Sequence, residues 1–257
     1  MQNKTKHLFR VLVLSFFIYL LSNSLTAQEL AHLDKRFLFE DVFSMFPGET
    51  GFVKNSSISF FYSIPYNLKD LSTRSLNISI PAGKFFSIET FFSDFGTDKY
   101  SEEKIGISIG KKILTHLAFG ISLTGNRLSI RNYPNKTEEN IGFGTTFKNN
   151  RLIFSFCHVL KNGGMDKPVS YFESGAALSK RLHLYLLLKK ENDFPVQKIL
   201  TIFFRENLLS FDGGFGDNPS YYSLGFCYRI MRYRFSFKYK EDMNLGKSQF
   251  FCFYILI

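Results

Sequence analysis

The sequence predicts an all-β fold: a transmembrane antiparallel meander β-barrel of about fourteen strands. Three observations carry that expectation. Segments of about nine or ten residues alternate between apolar and small or polar side chains, as barrel strands do. The connections between them alternate between short and long. Beyond the N-terminal leader, no run approaches the ~20 apolar residues that a membrane-spanning helix requires. The stretch RLHLYLLLKK, residues 181–190, shows the pattern most openly. Leu182, Leu184, Leu186 and Leu188 fall on every second position, with His183 and Tyr185 between them, so a strand places all four leucines on one face.

The chain begins with a leader. MQNKTKHLFR carries Lys4, Lys6 and Arg10, an apolar run VLVLSFFIYLLSNSL follows, and TAQE supplies small residues at the exit. This is the layout of a secretory signal peptide over residues 1–28, with an uncleaved N-terminal anchor as the rival reading. Residues 29–55 do not alternate. Leu33, Phe37, Phe39, Val42, Phe43 and Phe46 are spaced for a short amphipathic helix ending before Pro47. A barrel of this size has a lumen wider than its own side chains fill. The segment is therefore expected either to plug that lumen or to hang as a periplasmic tail.

From residue 56 to 257 strands are expected near 56–64, 71–80, 84–93, 101–111, 114–124, 139–148 and 151–160, then 168–178, 181–190, 197–206, 208–216, 219–229, 232–241 and 246–257. Ile58, Phe60, Tyr62 and Ile64 share one face of the first. Leu76, Ile78 and Ile80 oppose Ser75, Asn77 and Ser79 in the second, and Ile105, Ile107 and Ile109 oppose Gly106, Ser108 and Gly110 in the fourth. A soluble periplasmic sandwich also alternates. Here, however, the polar face is mostly Gly, Ser, Ala and Thr, as a confined interior requires, and the apolar face is large and aromatic, with 32 phenylalanines in the chain. Only a closed barrel pairs every backbone group of a sheet within lipid.

The turns PAGK, KIL, KNN, SKR, EN and RIM are short, whereas PYNLKD, DFGTDKYSE, GNRLSIRNYPNKTEE, KNGGMDK and EDMNLGK are longer and polar. Short periplasmic turns and longer outer loops produce this rhythm. GNRLSIRNYPNK, residues 125–136, is expected to be the longest loop, and it is basic. The glycines of KIGISIG and LAFGISLTG suit bending or close packing against something inside the lumen.

FGTDKYSEEKIGISIGKKI, HLAFGISL and the later PSYYSLGFCYRI with its LGKSQ step resemble FadL-like outer-membrane barrels. More narrowly, they are similar to the PorV/PorQ group associated with type IX secretion in Bacteroidota-type bacteria. The resemblance covers most of residues 45–257. It implies a fourteen-stranded barrel in the outer membrane with an N-terminal lumenal segment. The implied role is either passage of hydrophobic solutes or support of protein secretion. Where such proteins often carry an Asn-Pro-Ala step, this chain has Asn55 followed by Ser56 and Ser57.

Chemistry-bearing residues are sparse. His116, His158 and His183 belong to different strands, no GxSxG elbow or HExxH pair occurs, and no cofactor or metal motif is present, so a non-enzymatic role is expected. Cys157, Cys227 and Cys252 are odd in number and widely spaced, which suits small strand side chains. Glu89, Glu173 and Asp212 alternate toward the expected lumen. Arg232, Arg234, Lys238 and Lys240 share one face of one strand and form a candidate lumenal anion site for a carboxylate head group or an acidic plug residue such as Glu40 or Asp41. The competing reading is a solvated wall that balances the acids. The net charge of +10 fits an anionic membrane surface, such as lipopolysaccharide phosphates, rather than nucleic acid.

Overall fold

Backbone pairing dictates the architecture. In the computed structural model, which describes residues 46–162 and 168–257, all fourteen strands form one closed antiparallel sheet. They are β1 (Ser57–Ile64), β2 (Thr73–Pro81), β3 (Phe86–Thr97), β4 (Tyr100–Leu114), β5 (Leu117–Ile130), β6 (Lys136–Lys148) and β7 (Leu152–Asn162). After these come β8 (Val169–Ala177), β9 (Leu182–Glu191), β10 (Gln197–Glu206), β11 (Leu209–Asp217), β12 (Tyr221–Ile230), β13 (Tyr233–Asp242) and β14 (Gly246–Leu256). Each strand pairs with its neighbours in sequence, and β1 closes on β14 from Ser57↔Leu256 to Ile64↔Gln249. No edge is left, so every ladder donor and acceptor is satisfied without water. A two-sheet sandwich is thereby excluded. The signal peptide over 1–28, the helical stripe from Leu33 to Phe43, and Glu40 and Asp41 lie outside the described residues.

The faces sort as the alternation requires. Leu182, Leu184, Leu186 and Leu188 point outward, while His183, Tyr185 and Leu187 are buried inside. On β1 the outward set is Ile58, Phe60, Tyr62 and Ile64, against inward Ser57, Ser59, Phe61 and Ser63. Ile105, Ile107 and Ile109 of β4 stand opposite Gly125, Leu123 and Ile121 of β5, which continues an apolar outer band around the wall. Cys157, Cys227 and Cys252 all occupy the inward face of their strands.

Local chemistry shapes the short turns. Asn149 Oδ1 accepts from the backbone N–H groups of Arg151 and Leu152 at 2.8 and 2.7 Å, tying the β6–β7 connection. Ser179 Oγ does the same for Arg181 and Leu182 between β8 and β9. These are the side-chain-to-backbone bonds for which Asn and Ser are favoured in turns.

The long-loop side departs from expectation. GNRLSIRNYPNK is mostly strand: β5 runs to Ile130, β6 begins at Lys136, and only residues 131–135 connect them. Likewise β3 and β4 approach to Thr97 and Tyr100. Charged side chains line this stretch of ladder. Glu103 stands directly opposite Arg127, with 3.7 Å between their charged groups, and Lys136 pairs with Glu138 along β6. The hydrogen-bonded ladder thus continues above the apolar band, where the outward residues are polar.

Candidate functional site in the lumen

A single helical turn, α1 (Pro47–Thr50), lies inside the barrel against β3 to β7. Proline at its first position supplies a preset φ and loses no hydrogen bond there. Its seat is a row of three glycines in register across the wall: Gly110 opposite Gly120, and Gly120 opposite Gly144. A Cβ at Gly110 would fall 2.1 Å from the Gly51 nitrogen, and one at Gly120 would fall 2.0 Å from the Pro47 carbonyl oxygen. The backbone of Pro47 to Gly51 occupies the volume that side chains at Gly110 and Gly120 would fill. This is the close approach that the glycine pattern anticipates.

Polar bonds fix the seat. Thr50 Oγ1 donates to Glu89 at 3.3 Å and lies 3.1 Å from Ser108 Oγ. Ser155 Oγ donates to Glu49 at 2.9 Å, and Ser87 Oγ donates to the Val53 carbonyl at 3.2 Å. On the opposite flank Phe46 packs into a buried apolar cluster with Ile153, Cys157, Tyr185, Leu187, Ile199 and Phe203. These are inward residues of β7, β9 and β10, so that side of the lumen carries an apolar patch while β1 to β3 line it mostly with serines.

All three acids named from the sequence face inward and are buried. Glu89 accepts from Asn77 Nδ2 at 2.8 Å as well as from Thr50, so it ties the wall to the Pro47–Thr50 turn. Glu173 is fully buried on β8, directly opposite Ser155, the residue that donates to Glu49. Asp212 on β11 meets Lys238 of β13 at 3.6 Å across Gly225 of β12, whose missing side chain opens the space between them.

The four cations named from the sequence do not form one site. Lys238 is 2 % exposed and paired with Asp212. Lys240 lies 4.0 Å above the Tyr221 ring. Arg234 also faces inward, 5.2 Å over Tyr254. Arg232 differs from expectation: it belongs to the turn before β13 begins at Tyr233 and is exposed. Two inward arginines were missed, Arg205 on β10 and Arg229 on β12, and Arg229 is the direct cross-strand partner of Arg234. Alternation signals that each faces inward, but only the register shows that they meet.

The three histidines do not converge. His183 is buried in the lumen, His158 points outward and bonds Ser170 at 2.9 Å, and His116 sits in the β4–β5 turn beside Phe147. The wall itself carries an apolar groove of about 670 Å³ across β2 to β6, lined by Leu76, Ile78, Phe92, Ile105, Leu123 and Ile141. The backbone ladder beneath it is continuous, so the groove is a depression in the wall.

No family model matches this chain, and no curated protein matches it. Among solved structures it is similar to engineered variants of the porin of Rhodopseudomonas blastica. Two of them, one with two added tryptophans and one a triple mutant, each align at 8% identity over 79% of this chain and 99% of the porin, with a TM-score of 0.51. At that identity the likeness is one of architecture, and the architecture of this chain is a porin-like β-barrel.

Proposed function

We propose that this protein is a non-enzymatic outer-membrane barrel of FadL/PorV-like type, exported after removal of residues 1–28, that passes hydrophobic solutes behind a closed lumen. The observation that carries the reading is the apolar inward cluster of β7, β9 and β10 with Phe46 seated in it. A water-filled pore would wet that surface at a cost of about 25 cal/mol per Å². The cluster therefore needs an apolar partner, either Phe46 of the plug or a guest that replaces it. An apolar solute exchanges for Phe46 at little cost in hydration, whereas an ion or sugar does not. The resemblance to Bacteroidota barrels supports the same reading.

A second reading, support of protein secretion by a closed scaffold, is favoured by the hydrogen bonds of Glu49, Thr50 and Val53 to the wall. Native mass spectrometry of the full-length protein, extracted gently from the outer membrane of its host, separates the two. A retained acyl-chain or other apolar ligand without a protein partner is expected. A stoichiometric protein partner with no apolar ligand overturns passage in favour of the scaffold. Recovery from the periplasmic fraction overturns both.

A further inference from the structure

The apolar cluster that receives Phe46 has a polar end. On the inward face of β10, Thr201 stands between Ile199 and Phe203, and its cross-strand partner on β9 is Tyr185; all three neighbours belong to the cluster. On β12, Ser223 follows Tyr221, another member, along the same face. Thr201 and Ser223 both stand opposite Gly214 of β11. A Cβ on Gly214 would lie 2.7 Å from Ser223 Oγ and 3.5 Å from Thr201 Oγ1, so the two hydroxyls lean over one glycine from either side. Asp212, the next inward residue of β11, is diagonal to both.

Thr201 and Ser223 are 0 % and 2 % exposed, and neither hydroxyl has a hydrogen-bond partner among the described residues. A buried hydroxyl left unpaired costs about 1–3 kcal/mol. The oxygens of Asp212 also lack a hydrogen-bond donor, since Lys238 at 3.6 Å balances its charge from beyond that reach.

We propose that Thr201, Ser223 and Asp212 are the polar end of the apolar site and select solutes with a neutral hydroxyl head on an apolar chain. The inference rests on the passage reading: the chain replaces Phe46 in the cluster, and the head reaches the Gly214 side. A guest hydroxyl accepts from Thr201 or Ser223 and donates to Asp212, which satisfies donors and acceptor together. A carboxylate only accepts, so it leaves Asp212 without a donor and adds a like charge beside it. Lys238 already balances Asp212, and Lys240, opposite Ser223, lies over the Tyr221 ring. An alkane fills the cluster but pairs none of the polar atoms.

The test is equilibrium dialysis of radiolabelled 1-decanol, decane and decanoate against the full-length protein in amphipol, with uptake by amphipol alone subtracted. Thr201→Val and Ser223→Ala each remove one hydroxyl at nearly constant shape. Each is expected to lower the ratio of 1-decanol to decane affinity about 2- to 12-fold, the worth of one hydrogen bond. Two variants keep the comparison informative if one does not fold. A ratio unchanged in both, with decane still bound, overturns the polar end and leaves the passage reading standing. Decanoate binding tighter than 1-decanol overturns the neutral head. Absence of binding by all three overturns this inference and the passage reading together.

Discussion

Replacing Gly120 with alanine tests whether the N-terminal segment is seated by the glycine row. The new Cβ would stand 2.0 Å from the Pro47 oxygen and 2.2 Å from its carbonyl carbon, where ordinary contact begins at 3.4 Å. Both are backbone atoms, so no side-chain rotation relieves the clash, and Pro47 must retreat by well over an ångström. Overpacking of this kind costs about 1–3 kcal/mol. The wall is held by ladders on both sides of β5, whereas α1 is held by a handful of side-chain bonds, so the segment yields first. Its opening becomes easier by the same amount, about 5- to 150-fold in the open population. Hydrogen exchange reads this directly, because the amides of Glu49, Phe52 and Val53 donate within the turn, to Phe46, Glu49 and Thr50. Those three amides are expected to exchange faster in Gly120→Ala, with the strand amides of β9 to β13 unchanged. Gly125→Ala is the control, since its nearest contact is the Ile105 methyl at 3.6 Å on the outward face. Unchanged protection of Glu49, Phe52 and Val53 in Gly120→Ala would refute the seating argument.

Three further outcomes are expected. Leu186→Arg, in the middle of the outward face of β9, should destabilise the barrel in lipid vesicles by about 2–4 kcal/mol, and Leu182→Arg near the turn by about 0–1; equal costs would mean that this face does not cross hydrocarbon. Lys238→Met removes the ammonium 3.6 Å from buried Asp212 and should cost about 3–5 kcal/mol in urea titrations, with Asp212→Asn added to it recovering most of the loss; no recovery would show that the pair is not what matters. Tyr100 lies on the long-loop side above the apolar band and is pushed up to about 12, first by its hydrogen bond to Glu102. In the folded state it keeps its proton where an unfolded tyrosine loses it, so its contribution is complete below pH ~10 and is lost as pH rises toward 12. Ultraviolet titration of the wild type against Tyr100→Phe should show one phenolate fewer in the step near pH 12, and loss of a phenolate from the bulk step near pH ~10 instead would contradict it.

Strand number, direction and facing were legible before any coordinates, because a period of two is a local property. Leu182 to Leu188 declare one face whatever they touch, and the small residues between apolar positions declare an interior. The ends of β3 to β6 were less legible: charged residues such as Arg127 and Glu138 read as loop in isolation, and only pairing across strands turns them into ladder.

What met what was beyond the sequence. Gly110, Gly120 and Gly144 are each unremarkable in their own strands, yet register aligns them into a seat for Pro47 and Gly51. The same holds for Arg234, grouped from the sequence with Arg232 and Lys238 on one strand but placed by the fold opposite Arg229. A residue's face follows from its own neighbours in the chain. Its lumenal neighbours follow from the register between strands, which many pairings and the closure of β1 on β14 decide together.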